Sequence, residues 1–109
     1  MKESASDCRG IRFSVERDGK EVGHAYLYLL TNDLHAVPFG FLEDVRVDTL
    51  YQGQGVGNEL VATVMQRART ESCYKLVATS RDDDTRDKVH EWYLRLGFED
   101  YGTEFRINF

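Results

Sequence analysis

The chain has 109 residues and a formal net charge of −5, from 14 basic and 19 acidic side chains. This length supplies one hydrophobic core but not two, so we predict a single domain over residues 1–109, with residues 1–8 as a flexible N-terminus. The acidic balance argues against a general nucleic-acid surface. No apolar run approaches the roughly 18 residues of a membrane helix, which argues against a membrane partner.

The N-terminal residues predict the cellular compartment, and the cysteines and histidines bear on disulfides and metal binding. Polar residues follow Lys2, so no signal peptide is recognisable and we expect a cytoplasmic protein. The two cysteines, Cys8 and Cys73, are expected to be reduced. No His or Cys spacing predicts a metal site.

The first half of the chain predicts an antiparallel meander of three strands. Apolar and polar residues alternate from Ile11 to Val15, and Asp18-Gly19 then marks a tight hairpin turn. A second strand is predicted over residues 21–30 and a third over residues 39–47, with a polar turn region between them.

The second half of the chain predicts helices that alternate with strands. A helical stripe of apolar residues follows three glycines, and a short strand is predicted over residues 75–79. A second stripe runs from Val89 to Leu96 and ends at Gly97, which suits a left-handed cap. Alternation predicts a last strand over residues 105–109. The expected fold class is α/β (α+β), with a mixed, mostly antiparallel sheet flanked by helices.

The most informative segment is Gln52-Gly53-Gln54-Gly55-Val56-Gly57, which joins a strand pattern to a helical pattern. Glycine adopts positive φ readily and lets a ligand approach the backbone. The first N–H groups of a helix lack internal partners and carry partial positive charge, so this loop suits a phosphate or pyrophosphate. By spacing alone, a tight turn without a ligand is the alternative. The spacing matches neither the dinucleotide-binding nor the ATPase glycine loop.

Residues 44–57 closely resemble the acyl-CoA-binding motif of the GCN5-related N-acetyltransferase (GNAT) family. That motif is a strand with a hydrophobic-x-Val core, a short turn and Arg/Gln-x-x-Gly-x-Gly/Ala, which Gln52, Gly55 and Gly57 fill here. A second family signature, Tyr-x-x-x-Gly-Phe, is matched by residues 93–98. The resemblance covers residues 11–109 and implies the GNAT fold, reduced at its N-terminus because the usual first strand and two helices have no counterpart.

The resemblance implies an N-acetyltransferase that transfers the acetyl group of acetyl-CoA to a primary amine of a small molecule or protein. The pyrophosphate would bind main-chain N–H groups of the loop, and the pantetheine arm would lie along the preceding strand. The implied cofactor-binding residues are Val45, Arg46, Val47, Gln52, Gly53, Gln54, Gly55, Val56, Gly57 and Asn58.

Three residues are candidates for proton transfer. Tyr93, matched to the family's tyrosine, is the expected acid for the CoA thiolate, and its alternative role is that of a core aromatic. Glu43 and Asp44 are candidate bases for the attacking amine. In a regular strand Glu43 shares a face with Val45 and Val47, whose apolar character favours it as the base. A β-bulge would reverse that choice.

Two other functions stay open at this point. One is a non-catalytic module that binds CoA, and the other is a nucleotide-binding or purely structural α/β domain. Family members usually wall one side of the acceptor site with N-terminal helices that have no counterpart in this sequence. We therefore expect a homodimer in which a second subunit completes that wall.

Overall fold

The computed structural model describes all 109 residues, which form two compact units, residues 1–78 and residues 79–109. The first unit holds the sheet, one long helix and a 3-10 turn at Thr49–Tyr51, and the second holds a 3-10 turn at Asp84–Arg86 and a helix. None of the helices has the length and apolar character that crossing a membrane requires. The strands and helices are β1 (Arg9–Arg17), β2 (Lys20–Leu30), β3 (Phe39–Val47), α1 (Val56–Thr70), β4 (Leu76–Ala78) and α2 (Asp87–Arg95).

The four strands form one mixed sheet in the order β1-β2-β3-β4, which confirms the predicted fold class. The first three strands are antiparallel, and β4 runs parallel to β3 after the crossover through α1. Asp18 and Gly19 close the first hairpin with φ of 54° and 75°, which is the two-residue turn whose twist matches that of the strands.

The core lies between α1 and one face of the sheet. Ala25, Leu27 and Leu29 of β2 are buried on this face, and α1 covers it with its apolar stripe. That stripe consists of Val56, Leu60, Val61, Val64 and Ala68. Burial of each large side chain contributes about 1.5–3 kcal/mol to stability. The opposite face of β2 carries His24, Tyr26 and Tyr28, and we call it the tyrosine face.

Helix α2 ends as its sequence predicts. Gly97 has a φ of 102° and donates its N–H to the carbonyl of Leu94 at 3.1 Å, while Phe98 donates to the carbonyl of Tyr93 at 3.1 Å. The rings of Tyr93 and Phe98 also contact each other, with centroids 5.3 Å apart. This is the Schellman arrangement, so the Tyr-x-x-x-Gly-Phe signature has a direct structural basis at a helix end.

The predicted last strand is wrong. Residues 101–109 form no strand, and the alternating side chains of Phe105, Ile107 and Phe109 are exposed. Alternation is a local property of a sequence. A strand also needs the backbone hydrogen bonds of a neighbouring strand, and this segment has no such ladder.

Candidate functional site

The glycine loop adopts the backbone that only glycine takes readily. Gly53 and Gly55 have φ of 77° and 84°, and a Cβ added to either would meet no atom within 4 Å. Conformation rather than crowding therefore requires glycine at both positions. Gly55 is the N-cap of α1 and supplies no capping side chain, so no cap side chain accepts from the N–H groups of the first helical turn.

The N–H groups of this loop are largely unused by the protein. Gln52 donates its backbone N–H to the carbonyl of Thr49 at 3.4 Å, and Glu59 donates to Gly55 at 3.0 Å. The N–H groups of Gly53, Gln54 and Gly55 take part in no backbone hydrogen bond. Val56 and Gly57 follow in the first helical turn, where N–H groups have no helical acceptor. Together they form a run of donors with partial positive charge, suited to an anion.

A glycine that the sequence analysis did not single out holds this helix start in place. A Cβ on Gly23 of β2 would lie 2.8 Å from Cγ1 of Val56, the first residue of α1, and 3.1 Å from the carbonyl oxygen of Arg46. The missing side chain lets α1 approach the sheet closely beside β3. A lone glycine inside a strand pattern is the signal that could have identified it.

Strand β3 contains a β-bulge at the predicted base. Tyr26 pairs with Glu43, and His24 pairs with Arg46, so Ala25 alone opposes two residues of β3. Asp44, in the bulge, has a φ of 52°, which lies in the left-handed region.

The bulge changes which side chains of β3 share a face of the sheet. Because paired residues share a face, Glu43 and Arg46 both lie on the tyrosine face. Val47 pairs with Gly23 on the α1 face. The expectation that Glu43 shares a face with Val47 is therefore wrong, since the inserted residue shifts every later side chain to the other face.

Two cavities adjoin β3. The first, the loop cavity, measures about 340 Å³ and is lined by Val45, Arg46, Val47, Asp48, Thr49 and Gln52. The second, the tyrosine cavity, measures about 590 Å³ and is lined by His24, Tyr26, Tyr28, Asp44, Val45 and Arg46. Val45 and Arg46 belong to both walls, so the two cavities are neighbours along β3, and Gln52 is the loop residue that lines the first of them.

One edge of β3 lacks a strand partner next to the loop cavity. The parallel ladder with β4 ends at the pair Leu42 and Ala78, so β4 does not pair with Val45–Val47. The side-chain amide of Gln52 donates to the carbonyl oxygen of Val47 at 3.1 Å, which ties the loop to the end of the strand. The arrangement leaves room for an extended ligand along the strand.

The two candidate bases lie in different surroundings. Asp44 is exposed and lines the tyrosine cavity, while Glu43 is half-buried opposite Tyr26 and is not among the lining residues. No group of three or more His, Cys, Asp or Glu side chains is placed to hold a metal ion.

Tyr93, the candidate acid, belongs to α2. Its ring is half-buried against Trp92, with centroids 5.0 Å apart, and against Phe98. Packing and the helix cap together restrict the ring, which suits either role considered for this residue.

An ion pair between two strands orders the tyrosine face. Arg12 donates to both carboxylate oxygens of Glu21, at 2.6 and 2.8 Å, and its Nε donates to the hydroxyl of Tyr26 at 3.1 Å. The hydrogen bonds from Arg12 lower the pKa of Glu21 below its usual range. The bond to Glu21 is also the main cause that raises the pKa of Arg12. The pair therefore stays ionised and fixes Tyr26 through a charged partner.

The chain is an α/β protein with a mixed sheet, a glycine loop at the start of α1 and an unpaired edge of β3. A helix N-terminus and a strand edge together suit an extended, anionic ligand. The sequence pattern of the Acetyltransferase (GNAT) family matches residues 1–98. The chain belongs to this family.

Two relatives are similar to the chain in sequence, and one solved structure is similar to it in fold. An aminoglycoside N(6')-acetyltransferase type 1 of Stenotrophomonas maltophilia is 34% identical, over 92% of this chain and 67% of that protein. A glucosamine 6-phosphate N-acetyltransferase of Trypanosoma brucei brucei is 31% identical, over 88% of this chain and 63% of that protein. This chain thus spans about two thirds of the length of both relatives. An aminoglycoside N-acetyltransferase solved in complex with CoA shares the fold, with a TM-score of 0.74 and 21% identity over 89% of this chain and 73% of that one.

Proposed function

We propose that this chain is an acetyl-CoA-dependent N-acetyltransferase that acts on a primary amine. The observation that carries the proposal is the run of N–H donors at the start of α1, which begins directly after Gln52 in the wall of the loop cavity. The loop cavity shares Val45 and Arg46 with the tyrosine cavity. One cavity would take the acetyl donor and the other the amine, with Val45 and Arg46 between them. Family membership and the printed names of the relatives support the same reaction class.

The residues present fit the phosphate and pantetheine parts of acetyl-CoA. The left-handed backbone of Gly53 and Gly55 leaves open space where side chains would otherwise stand, and the N–H groups there suit a diphosphate. The unpaired edge of Val45–Val47 suits the amides of the pantetheine arm. When bound, acetyl-CoA supplies an activated acetyl thioester. The complex of a structural neighbour with CoA supports this assignment.

Two proton transfers are proposed, one to a carboxylate and one from Tyr93. A carboxylate, Asp44 or Glu43, accepts the proton that the amine must lose before it attacks. Asp44 has the position in its favour, because it lines the cavity proposed for the amine. The hydroxyl of Tyr93 would donate a proton to the leaving sulfur of CoA, in agreement with the signature to which Tyr93 belongs.

The test combines ligand binding with turnover on the same preparation. CoA and acetyl-CoA are expected to raise the melting temperature by mass action, while ATP and NAD leave it unchanged. Acetyl-CoA with a panel of amines is expected to release CoA thiol. Stabilisation by CoA without transfer to any amine would identify a non-catalytic CoA-binding module instead. Equal stabilisation by ATP would reject the CoA site itself.

The homodimer expected from the sequence is a separate proposal. Light scattering at micromolar protein concentration measures it directly. A monomer mass with and without acetyl-CoA would contradict it.

A further inference from the structure

Two tyrosine rings form one wall of the tyrosine cavity. The rings of Tyr26 and Tyr28 are nearly parallel, with planes 11° apart and centroids separated by 6.2 Å. Both side chains line the cavity, and Tyr28 is 37% exposed. The faces of aromatic rings carry partial negative charge and attract cations.

Strand β1 holds both rings in position. Tyr28 pairs with Gly10, and a Cβ on Gly10 would lie 3.2 Å from Cε1 of the tyrosine, so the ring lies close over the glycine backbone. Tyr26 accepts a hydrogen bond from Arg12, whose guanidinium carbon is 5.8 Å from the ring centroid. Glu21 binds both terminal nitrogens of this guanidinium. The positive charge nearest to the rings is therefore already paired.

Along the tyrosine face, the paired residues change from charged to aromatic. Arg46 pairs with His24 at the end of the tyrosine cavity shared with the loop cavity. Glu43 pairs with Tyr26, and Asp44, the next residue of β3, is the one carboxylate that lines the cavity with the rings. Tyr28 is the fourth residue after His24, a distance of roughly 13 Å at about 3.3 Å per residue of strand. The end of the cavity farthest from the loop cavity is thus aromatic, since Tyr28 there pairs with Phe41.

We propose that Tyr26 and Tyr28 form a cation subsite that holds a second, non-reacting ammonium group of a polyamine-class acceptor. This inference rests on the proposed function, because it assigns the substrate class of the same site. One amine of the acceptor lies at the boundary marked by Val45 and Arg46, where transfer is proposed. The other lies against the rings, roughly 10 Å away on the strand spacing. A phosphate in the place of that second ammonium group would meet the ring faces and the carboxylate of Asp44, so a phosphorylated amino sugar is disfavoured there.

The test measures how the specificity constant depends on acceptor length. Linear diamines with three to ten methylene groups are compared with monoamines of equal length at saturating acetyl-CoA. We expect kcat/KM to rise with diamine length, to level off when the second nitrogen reaches the rings, and to exceed that of the matched monoamine. Tyr28→Leu should lower kcat/KM for the long diamines about tenfold and abolish the length dependence. Tyr28→Phe keeps the ring face and should keep the dependence.

Calorimetry measures the affinity for spermidine, and so tests the subsite without any turnover. The wild type should bind spermidine, and Tyr28→Leu should weaken that binding about tenfold. Tyr74→Leu is the matched control: Tyr74 is 45% exposed and is not among the residues lining the tyrosine cavity, so both measurements should match the wild type.

The possible results distinguish failure of the cation subsite from failure of the proposed acetyltransferase function. Equal kcat/KM for diamines and monoamines, preference for glucosamine 6-phosphate, or unchanged spermidine affinity in Tyr28→Leu would overturn the cation subsite. Spermidine binding that depends on Tyr28, together with no acetylation of any amine, would instead contradict the proposed function and support the subsite.

Discussion

Gly23 of β2 lies directly against Val56, the first residue of α1, with no room for a methyl group between them. The distance from a Cβ on Gly23 to Cγ1 of Val56 would be 2.8 Å, and Leu60 would be 3.2 Å away. The absence of one side chain on the sheet thus decides how closely the start of α1 packs beside β3. The glycine loop owes its position to this contact as well as to its own glycines.

Gly23→Ala should therefore affect both stability and ligand binding. Overpacking of this kind costs about 1–3 kcal/mol, and displacement of the start of α1 should weaken CoA binding. Urea unfolding and calorimetry with CoA measure the two effects. Gly102→Ala is the control, since a Cβ there would meet no atom within 4 Å and both quantities should stay at wild-type values. A fully stable Gly23→Ala with normal CoA affinity would contradict the packing role.

Gly55→Ala separates backbone strain from function. At a φ of 84° the alanine should cost about 1–2 kcal/mol of folding free energy and move the N–H groups of the loop, so that CoA affinity falls. Gly19→Ala is the matched variant, because Gly19 has a φ of 75° in the first hairpin, where a Cβ would also meet nothing. It should lose similar stability and bind CoA normally. Equal loss of CoA affinity in both variants would mean that stability alone is responsible.

Asp44→Asn tests the base without changing the shape of the bulge. Asparagine tolerates the left-handed backbone that Asp44 adopts, so folding stability should stay close to that of the wild type. If Asp44 is the base, kcat should fall at least about 100-fold while CoA affinity is kept. Glu43→Gln is assayed in parallel and should keep most of the activity. A larger loss in Glu43→Gln would assign the base to Glu43.

Tyr93→Phe tests the candidate acid. Removal of the hydroxyl leaves the contacts of the ring with Trp92 and Phe98 available, so the melting temperature should change little. Loss of a proton donor should lower kcat about 100-fold and leave CoA affinity unchanged. A stable variant with full turnover would leave Tyr93 with a packing role only.

Arg12→Met should make the stability of the protein less sensitive to acid. The pKa of Glu21 is lowered from its usual 4.5, chiefly by the hydrogen bonds from Arg12. Because the folded pKa is depressed, the stabilisation is complete above pH 4.5 and is lost as the pH falls through the folded value. The variant should therefore melt below the wild type at pH 7, with a difference that shrinks as the pH falls below 4.5. In a Glu21→Gln background the difference should no longer depend on pH.

The sequence predicted the features that local chemistry controls. Asp18-Gly19 specifies its turn because both residues tolerate positive φ, and Gly97 ends α2 for a related reason. The apolar stripe of α1 and the strands of the meander followed from periodicity. The loop from Gln52 to Gly57 was recognised by its glycines and by the strand before it, since both requirements are written in consecutive residues.

Tertiary structure alone decided the rest. β3 has an extra residue at Asp44 in its pairing with β2, and the sequence pattern of β3 gives no sign of it. Because of this bulge, Glu43 and Arg46 lie on the same face of the sheet. The end of the chain has the alternation of a strand, yet residues 105–109 have no strand beside them. Gly23 acquires its role only when α1 packs on it. Turns and caps depend on the conformational limits of a few neighbouring residues, whereas register, pairing and close approach depend on residues far apart in the chain.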